Sequence, residues 1–85
     1  MPKVEIYTWR TCPFCIQAKG LLRRKGLNFI EHSVDGDEHA RNEMADRGDG
    51  RRSVPQIFIN ERHIGGCDDL HDLDRAGDLD ALLGI

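Results

Sequence analysis

Cys12 and Cys15 stand two residues apart in Thr11-Cys12-Pro13-Phe14-Cys15. Two thiols at that separation can attack, resolve or close a disulfide. The preceding run, Val4-Glu5-Ile6-Tyr7-Thr8-Trp9, is rich in strand formers, and Ile16 to Lys25 has the spacing of an amphipathic helix. Cys12 is therefore predicted at a helix N-terminus, where unpaired N–H groups and the positive end of the helix dipole favour a thiolate over a thiol. Pro13 suits the first helical position, which needs no N–H donor. Cys15, a turn further in, is expected to be less exposed and close enough to form a short, labile disulfide with Cys12. A purely structural bridge is disfavoured, because so short a loop removes little unfolded-state entropy and the chain has no disulfide framework. A zinc knuckle needs a second closely spaced ligand pair, which Cys67, His63 and His71 do not form, so no metal is expected. Cys67 then reads as a small buried residue, and none of His32, His39, His63 and His71 is assigned a role beside Cys12.

Eighty-five residues predict a single domain over 1–85, near the small end of what buries an adequate core. The odd count of three cysteines argues for a reducing compartment. The N-terminus lacks the apolar core of a signal peptide, and no stretch approaches the roughly 18 apolar residues of a membrane span. The expectation is a cytoplasmic protein without membrane contact. A net charge of −3 gives no sign of nucleic-acid binding. The charge is uneven: Lys19, Arg23, Arg24 and Lys25 crowd the first helix, and aspartates crowd the C-terminal segment.

The elements that must position the two thiols follow in chain order. Val4 to Thr8 carries apolar groups on both faces and is predicted as a central strand. The first helix places Phe14, Ala18, Leu21 and Leu22 on one apolar face, and Gly26 ends it. Asn28 to Val34 follows so soon that a parallel β-α-β unit is expected. Either aspartate of Asp35-Gly36-Asp37 can cap a helix from Glu38 to Arg47, with Ala40 and Met44 facing inward. The loop Gly48 to Arg52 holds two arginines read as free to meet an anion. Ser53 to Ile59 and Arg62 to Gly65, around Asn60-Glu61, predict an antiparallel hairpin. Pro55 must sit at the strand's start, where a cis peptide is possible and would leave the backbone of Val54 open for pairing. A single last helix is predicted from Cys67, with Leu70, Leu73, Ala76 or Gly77, Leu79, Leu82 and Leu83 inward.

This order, with the thiol pair at the first helix and a proline opening the third strand, resembles the thioredoxin fold, and within it the small bacterial dithiol glutaredoxins. The matching stretches are Tyr7-Thr8 with Thr11 to Cys15, Ser53 to Ile59, and Ile64 to Leu70, in register along essentially the whole chain. The resemblance implies an α/β fold with a four-stranded mixed sheet and flanking helices, ordered β-α-β-α-β-β-α. It also implies a glutathione-disulfide oxidoreductase in which Cys12 is the nucleophile and Cys15 resolves, with glutathione as co-substrate. The implied clients are disulfide or glutathionylated proteins, and the protein is expected to be a monomer.

Glutathione is an extended tripeptide with two carboxylates and one ammonium. The resemblance implies that Val54, presented by Pro55, pairs with its cysteinyl backbone as an added strand. Gly66 and the N–H groups of Cys67, Asp68 and Asp69 would hold the γ-glutamyl carboxylate, with an aspartate reaching the ammonium. For the glycyl carboxylate the candidates are Arg41, or one of Arg10, Arg51 and Arg52. Trp9 stands where many members carry lysine, and Arg10 is the nearby substitute. Pro13 and Phe14 belong to the motif itself, and Phe14 keeps an aromatic wall beside Cys12 where tyrosine is commoner. The alternative is an iron–sulfur carrier using Cys12 and glutathione. Pro13 and Cys15 argue against it, since small residues favour that role. A thioredoxin-like reductant fed by a flavoenzyme is disfavoured by Phe14 and by Gly65 to Asp69.

Overall fold

The computed structural model describes residues 2–85. Strand β1 (Val4–Thr8) is buried along its whole length and lies between β2 (Ile30–Ser33), parallel to it, and β3 (Gln56–Ile59), antiparallel. Strand β4 (Arg62–Gly65) pairs antiparallel with β3 through the Asn60-Glu61 turn, and the sheet order is β2-β1-β3-β4. Both turn residues have positive φ, 51° and 71°, as the tightest hairpin turns require. The mixed sheet and central first strand match the sequence reading. The regular part of β3 begins at Gln56, with Val54–Pro55 before it in a cis peptide.

The alternation of β1 and β3 divides the core between the two faces of the sheet. On one face Val4, Ile6, Ile57 and Ile59 pack with Ala18, Leu21 and Leu22 of α1 (Pro13–Arg24) and with Leu70 of α3 (Cys67–Arg75). Leu79 and Leu83 of α4 (Asp78–Leu83) join the same cluster. On the other face Tyr7 and Phe58 meet Val34 and Met44, the latter from α2 (Glu38–Arg47). Helix α2 starts where Asp37 accepts a hydrogen bond from the Ala40 N–H at 3.0 Å. Helix α1 ends at Lys25, with Gly26 at φ +75° just beyond it.

Three expectations need correction. The last helix is two helices, because Gly77 adopts φ +80° and turns the chain between α3 and α4, so that Ala76 and Gly77, expected inward, are exposed at the turn. The leucine spacing continues across that turn, so periodicity alone reads it as one element. Phe14 is not part of the buried face of α1: it is 56 % exposed, and Cys15, 1 % exposed, takes the inward place one residue later. The second strand, expected over Asn28 to Val34, is shorter, Ile30–Ser33, with Ile30 exposed and Phe29 packed on the core ahead of it.

The middle of β1 carries a buried carboxylate that the sequence reading missed. Glu5 accepts two hydrogen bonds from Arg47, at 2.8 and 3.2 Å, and lies 3.0 Å from His32 Nε2. Arg47 also donates to the Tyr7 hydroxyl at 2.8 Å and lies 4.2 Å over the Phe58 ring. The guanidinium, with help from His32 and Lys3, holds the Glu5 carboxyl at about 2 against the opposing effect of burial.

Candidate active site

Cys12 is the N-cap of α1, in an extended conformation, and its Sγ accepts a hydrogen bond from the Cys15 N–H at 3.2 Å. It is half-buried, and both cysteines are free thiols. The helix places Cys15 one turn inward against the core, where burial first, and then the neighbouring Cys12 sulfur, push its thiol above the ordinary range. One sulfur is thus reachable and held by a backbone donor, and the other is enclosed and protonated. Two thiols so distinguished can act in sequence, the outer attacking and the inner resolving.

The Cys12 Sγ lies 3.8 Å from the Val54 carbonyl oxygen, so the segment before β3 faces the reactive sulfur. Beside it runs a groove of about 150 Å³. Phe14 forms one wall; Ser53, Val54 and Pro55 form another; Arg51 and the start of α3, from Gly66 to Asp69, complete it. The first hydrogen bond of α3 joins the Leu70 N–H to the Gly66 carbonyl at 3.0 Å, which places the N–H groups of Cys67, Asp68 and Asp69 ahead of the helical ladder. Asp69 folds back to accept from the Gly66 N–H at 2.9 Å and pairs with Arg51 at 3.1 Å, and these contacts hold its carboxyl below the usual range. Asp68 is exposed. Gly65 sits at φ +123°, and a Cβ there would come within 2.7 Å of the Asp69 Cγ, so glycine is required for this return.

The groove therefore gathers Phe14, Val54, Pro55, Gly66, Cys67, Asp68 and Asp69 next to Cys12 and Pro13. Arg10 and Arg41 are not in it. Arg10 extends into solvent, with its backbone N–H bonded to Asp35 at 2.8 Å. Arg41 lies over the Trp9 ring at 4.7 Å and donates to the Arg52 carbonyl, on the α2 side of the sheet. The two loop arginines are not free, contrary to expectation. Arg51 pairs with Asp69, and Arg52 with Glu38 at 2.6 Å and Asn42 at 2.8 Å. Cys67 is buried, 6 % exposed, with its sulfur 3.4 Å from His71 Nδ1. Burial, followed by the charge of Asp68, raises its thiol. Sequence reasoning assigned nothing to Gln56, which bonds to Ser53, or to His63, which bonds to Gln56. A glutamine opening the apolar run Ile57-Phe58-Ile59 was the available signal.

The glutaredoxin family model matches residues 4–64. The chain belongs to the glutaredoxin family. Glutaredoxin 3 of Escherichia coli K12 is 57 % identical over 83 residues, covering 98 % of this chain and 99 % of that protein. The glutaredoxin of Pseudomonas aeruginosa is 59 % identical over 83 residues, covering 98 % of both. Among solved structures, the buckwheat glutaredoxin–glutathione complex superposes with a TM-score of 0.89 at 26 % identity, over 98 % of this chain and 77 % of that one. Membership carries a thiol–disulfide oxidoreductase role, which suits the unequal pair Cys12 and Cys15. Among the described residues no helix is long and apolar enough to cross a membrane, and no three His, Cys, Asp or Glu side chains gather as metal ligands.

Proposed function

We propose that this chain is a glutathione-dependent thiol–disulfide oxidoreductase acting on glutathione mixed disulfides and on protein disulfides. The observation that carries the reading is the half-exposed Cys12 sulfur, bonded to the Cys15 N–H and facing the Val54 carbonyl at the edge of a groove. The related buckwheat protein, of the same fold, is a complex with glutathione.

In the first reaction the Cys12 thiolate attacks the glutathionyl sulfur of a mixed disulfide. The S–S bond breaks, the client leaves as a thiolate and takes up a proton, and glutathione remains joined to Cys12. The thiolate of a second glutathione attacks that adduct, releasing oxidised glutathione and restoring the Cys12 thiolate. With a protein disulfide, Cys12 forms a mixed disulfide with one client sulfur and the other departs as a thiolate. That thiolate takes up a proton. Cys15 loses its own, attacks the Cys12 Sγ and breaks the Cys12–client bond, and the second client sulfur departs as a thiolate and is protonated in turn, freeing the reduced client. Two glutathiones then reduce the Cys12–Cys15 bond, leaving as one oxidised glutathione.

In this reading the Val54 backbone pairs with the cysteinyl part of glutathione, and the α3 N-terminus takes the γ-glutamyl carboxylate. Asp68, exposed beside it, reaches the ammonium. Arg51 is committed to Asp69 at that same end. Arg52 is tied to Glu38 and Asn42 and Arg10 extends into solvent, which leaves the glycyl carboxylate to Arg41, outside the groove on the α2 side next to Trp9.

Glutathione-coupled turnover of Cys12→Ser and Cys15→Ser tests the proposal. Cys12→Ser should lose at least about a hundredfold with every substrate. Cys15→Ser should still remove glutathione from mixed disulfides but fail on protein disulfides. Turnover by Cys12→Ser would overturn the reading.

A further inference from the structure

Strand pairing between β1 and β3 ends at Tyr7 opposite Gln56, so the backbone of Ser53 and Val54 lies beyond the ladder. Something else must hold it against Cys12. Gln56 is fully buried in an otherwise apolar strand, a placement that costs free energy unless both ends of its amide are bonded. Both ends are. The amide nitrogen donates to the Ser53 carbonyl at 3.1 Å and lies 3.3 Å from the Ser53 hydroxyl, and the amide oxygen lies 2.7 Å from His63 Nε2.

The direction of this chain follows from its chemistry. A backbone carbonyl only accepts, so the nitrogen of the Gln56 amide must face Ser53 and its oxygen must face His63. His63 Nε2 is then the donor. Its ring cannot swing away easily: Phe58 lies 5.1 Å from it at 34°, and a Cβ on Gly48, at the end of α2, would stand 3.3 Å from Nε2. Burial, followed by the charge of Arg51, lowers its basicity, which suits a neutral ring with its proton on Nε2.

We propose that Gln56 and His63 are positioning residues for the groove, a hydrogen-bonded strut from β4 through β3 that holds the Ser53–Val54 backbone at the spacing from Cys12 that a bound glutathione needs. This inference rests on the glutathione reading above. Neither side chain touches the reacting sulfur. Their loss should therefore weaken capture of the glutathionyl group and leave the intrinsic reactivity of Cys12 alone.

The experiment is steady-state kinetics with the mixed disulfide of glutathione and 2-mercaptoethanol, alongside the rate at which iodoacetamide alkylates Cys12. Iodoacetamide is small and uses no groove. Gln56→Met keeps the length and removes both hydrogen bonds; Gln56→Glu keeps an acceptor for His63 but cannot donate to the Ser53 carbonyl. Both should raise KM for the mixed disulfide about fivefold or more, the worth of one buried hydrogen bond. In both, kcat and the alkylation rate should stay within about twofold of wild type. His63→Leu should raise KM about threefold or more, and His63→Gln, which offers an N–H in place of Nε2, should restore it. An unchanged KM in folded Gln56→Glu and His63→Leu would overturn the proposal. So would a parallel fall in kcat and alkylation, which marks general loosening. A wild-type protein with no saturable use of the glutathione mixed disulfide would remove the reading beneath it, an outcome separable from equal KM values in an active series.

Discussion

The Cys12 sulfur accepts the Cys15 backbone N–H at 3.2 Å, and of the two sulfurs only the inner one, on Cys15, is enclosed. Their spacing was legible in the sequence, and so was the inward placing of Cys15, because both follow from helix geometry. The buried carboxylate of Glu5 was not, since its partner Arg47 is 42 residues away and only the folded sheet brings them together. Its effect is measurable. With its carboxyl held at about 2 in place of 4.5, the native state binds fewer protons than the unfolded chain. That contribution is complete above about pH 4.5 and is lost as the pH falls through about 2. The unfolding free energy of the wild type, from urea titrations, should therefore drop steeply across this window, and that of Glu5→Gln should be lower by about 2–3 kcal/mol at neutral pH but flatter below it. Parallel profiles for the two proteins would contradict this account.

Among the elements, the caps were the most readable signals. Pro13, Gly26 and Asp37 mark the ends of α1 and the start of α2 by their own conformational chemistry. The break at Gly77 was not readable, because nothing in the leucine pattern states which glycine takes a positive φ. Phe14 falls on the apolar stripe of α1, but its ring is exposed and lines the groove. At the start of α3 the critical device is Gly65, whose missing side chain lets Asp69 return to the Gly66 N–H and meet Arg51. Gly65→Ala should displace that carboxylate and add strain at φ +123°, destabilising the fold by roughly 2–4 kcal/mol. It should also raise KM for glutathione mixed disulfides while Cys12 alkylation holds. Thermal melts with paired kinetics check this, and a variant equal to wild type in both would contradict it.

At the scale of the whole molecule, a four-stranded sheet separates two apolar clusters, and the site lies where the start of α1, the approach to β3 and the start of α3 converge. The mixed sheet with its central first strand was anticipated, and Phe14, Val54, Pro55 and Gly66 to Asp69, singled out from three motifs read together, line one groove. The placement of the arginines was not, because long charged side chains choose partners by tertiary proximity: Arg51 went to Asp69, Arg52 to Glu38 and Arg41 to Trp9. The central claim concerns which sulfur carries glutathione. The most direct test is to treat Cys15→Ser, which cannot resolve, with oxidised glutathione and locate the adduct by peptide mass spectrometry. The account predicts one glutathione, on Cys12, with Cys67 unmodified. An adduct on Cys67, or none at all, would contradict it.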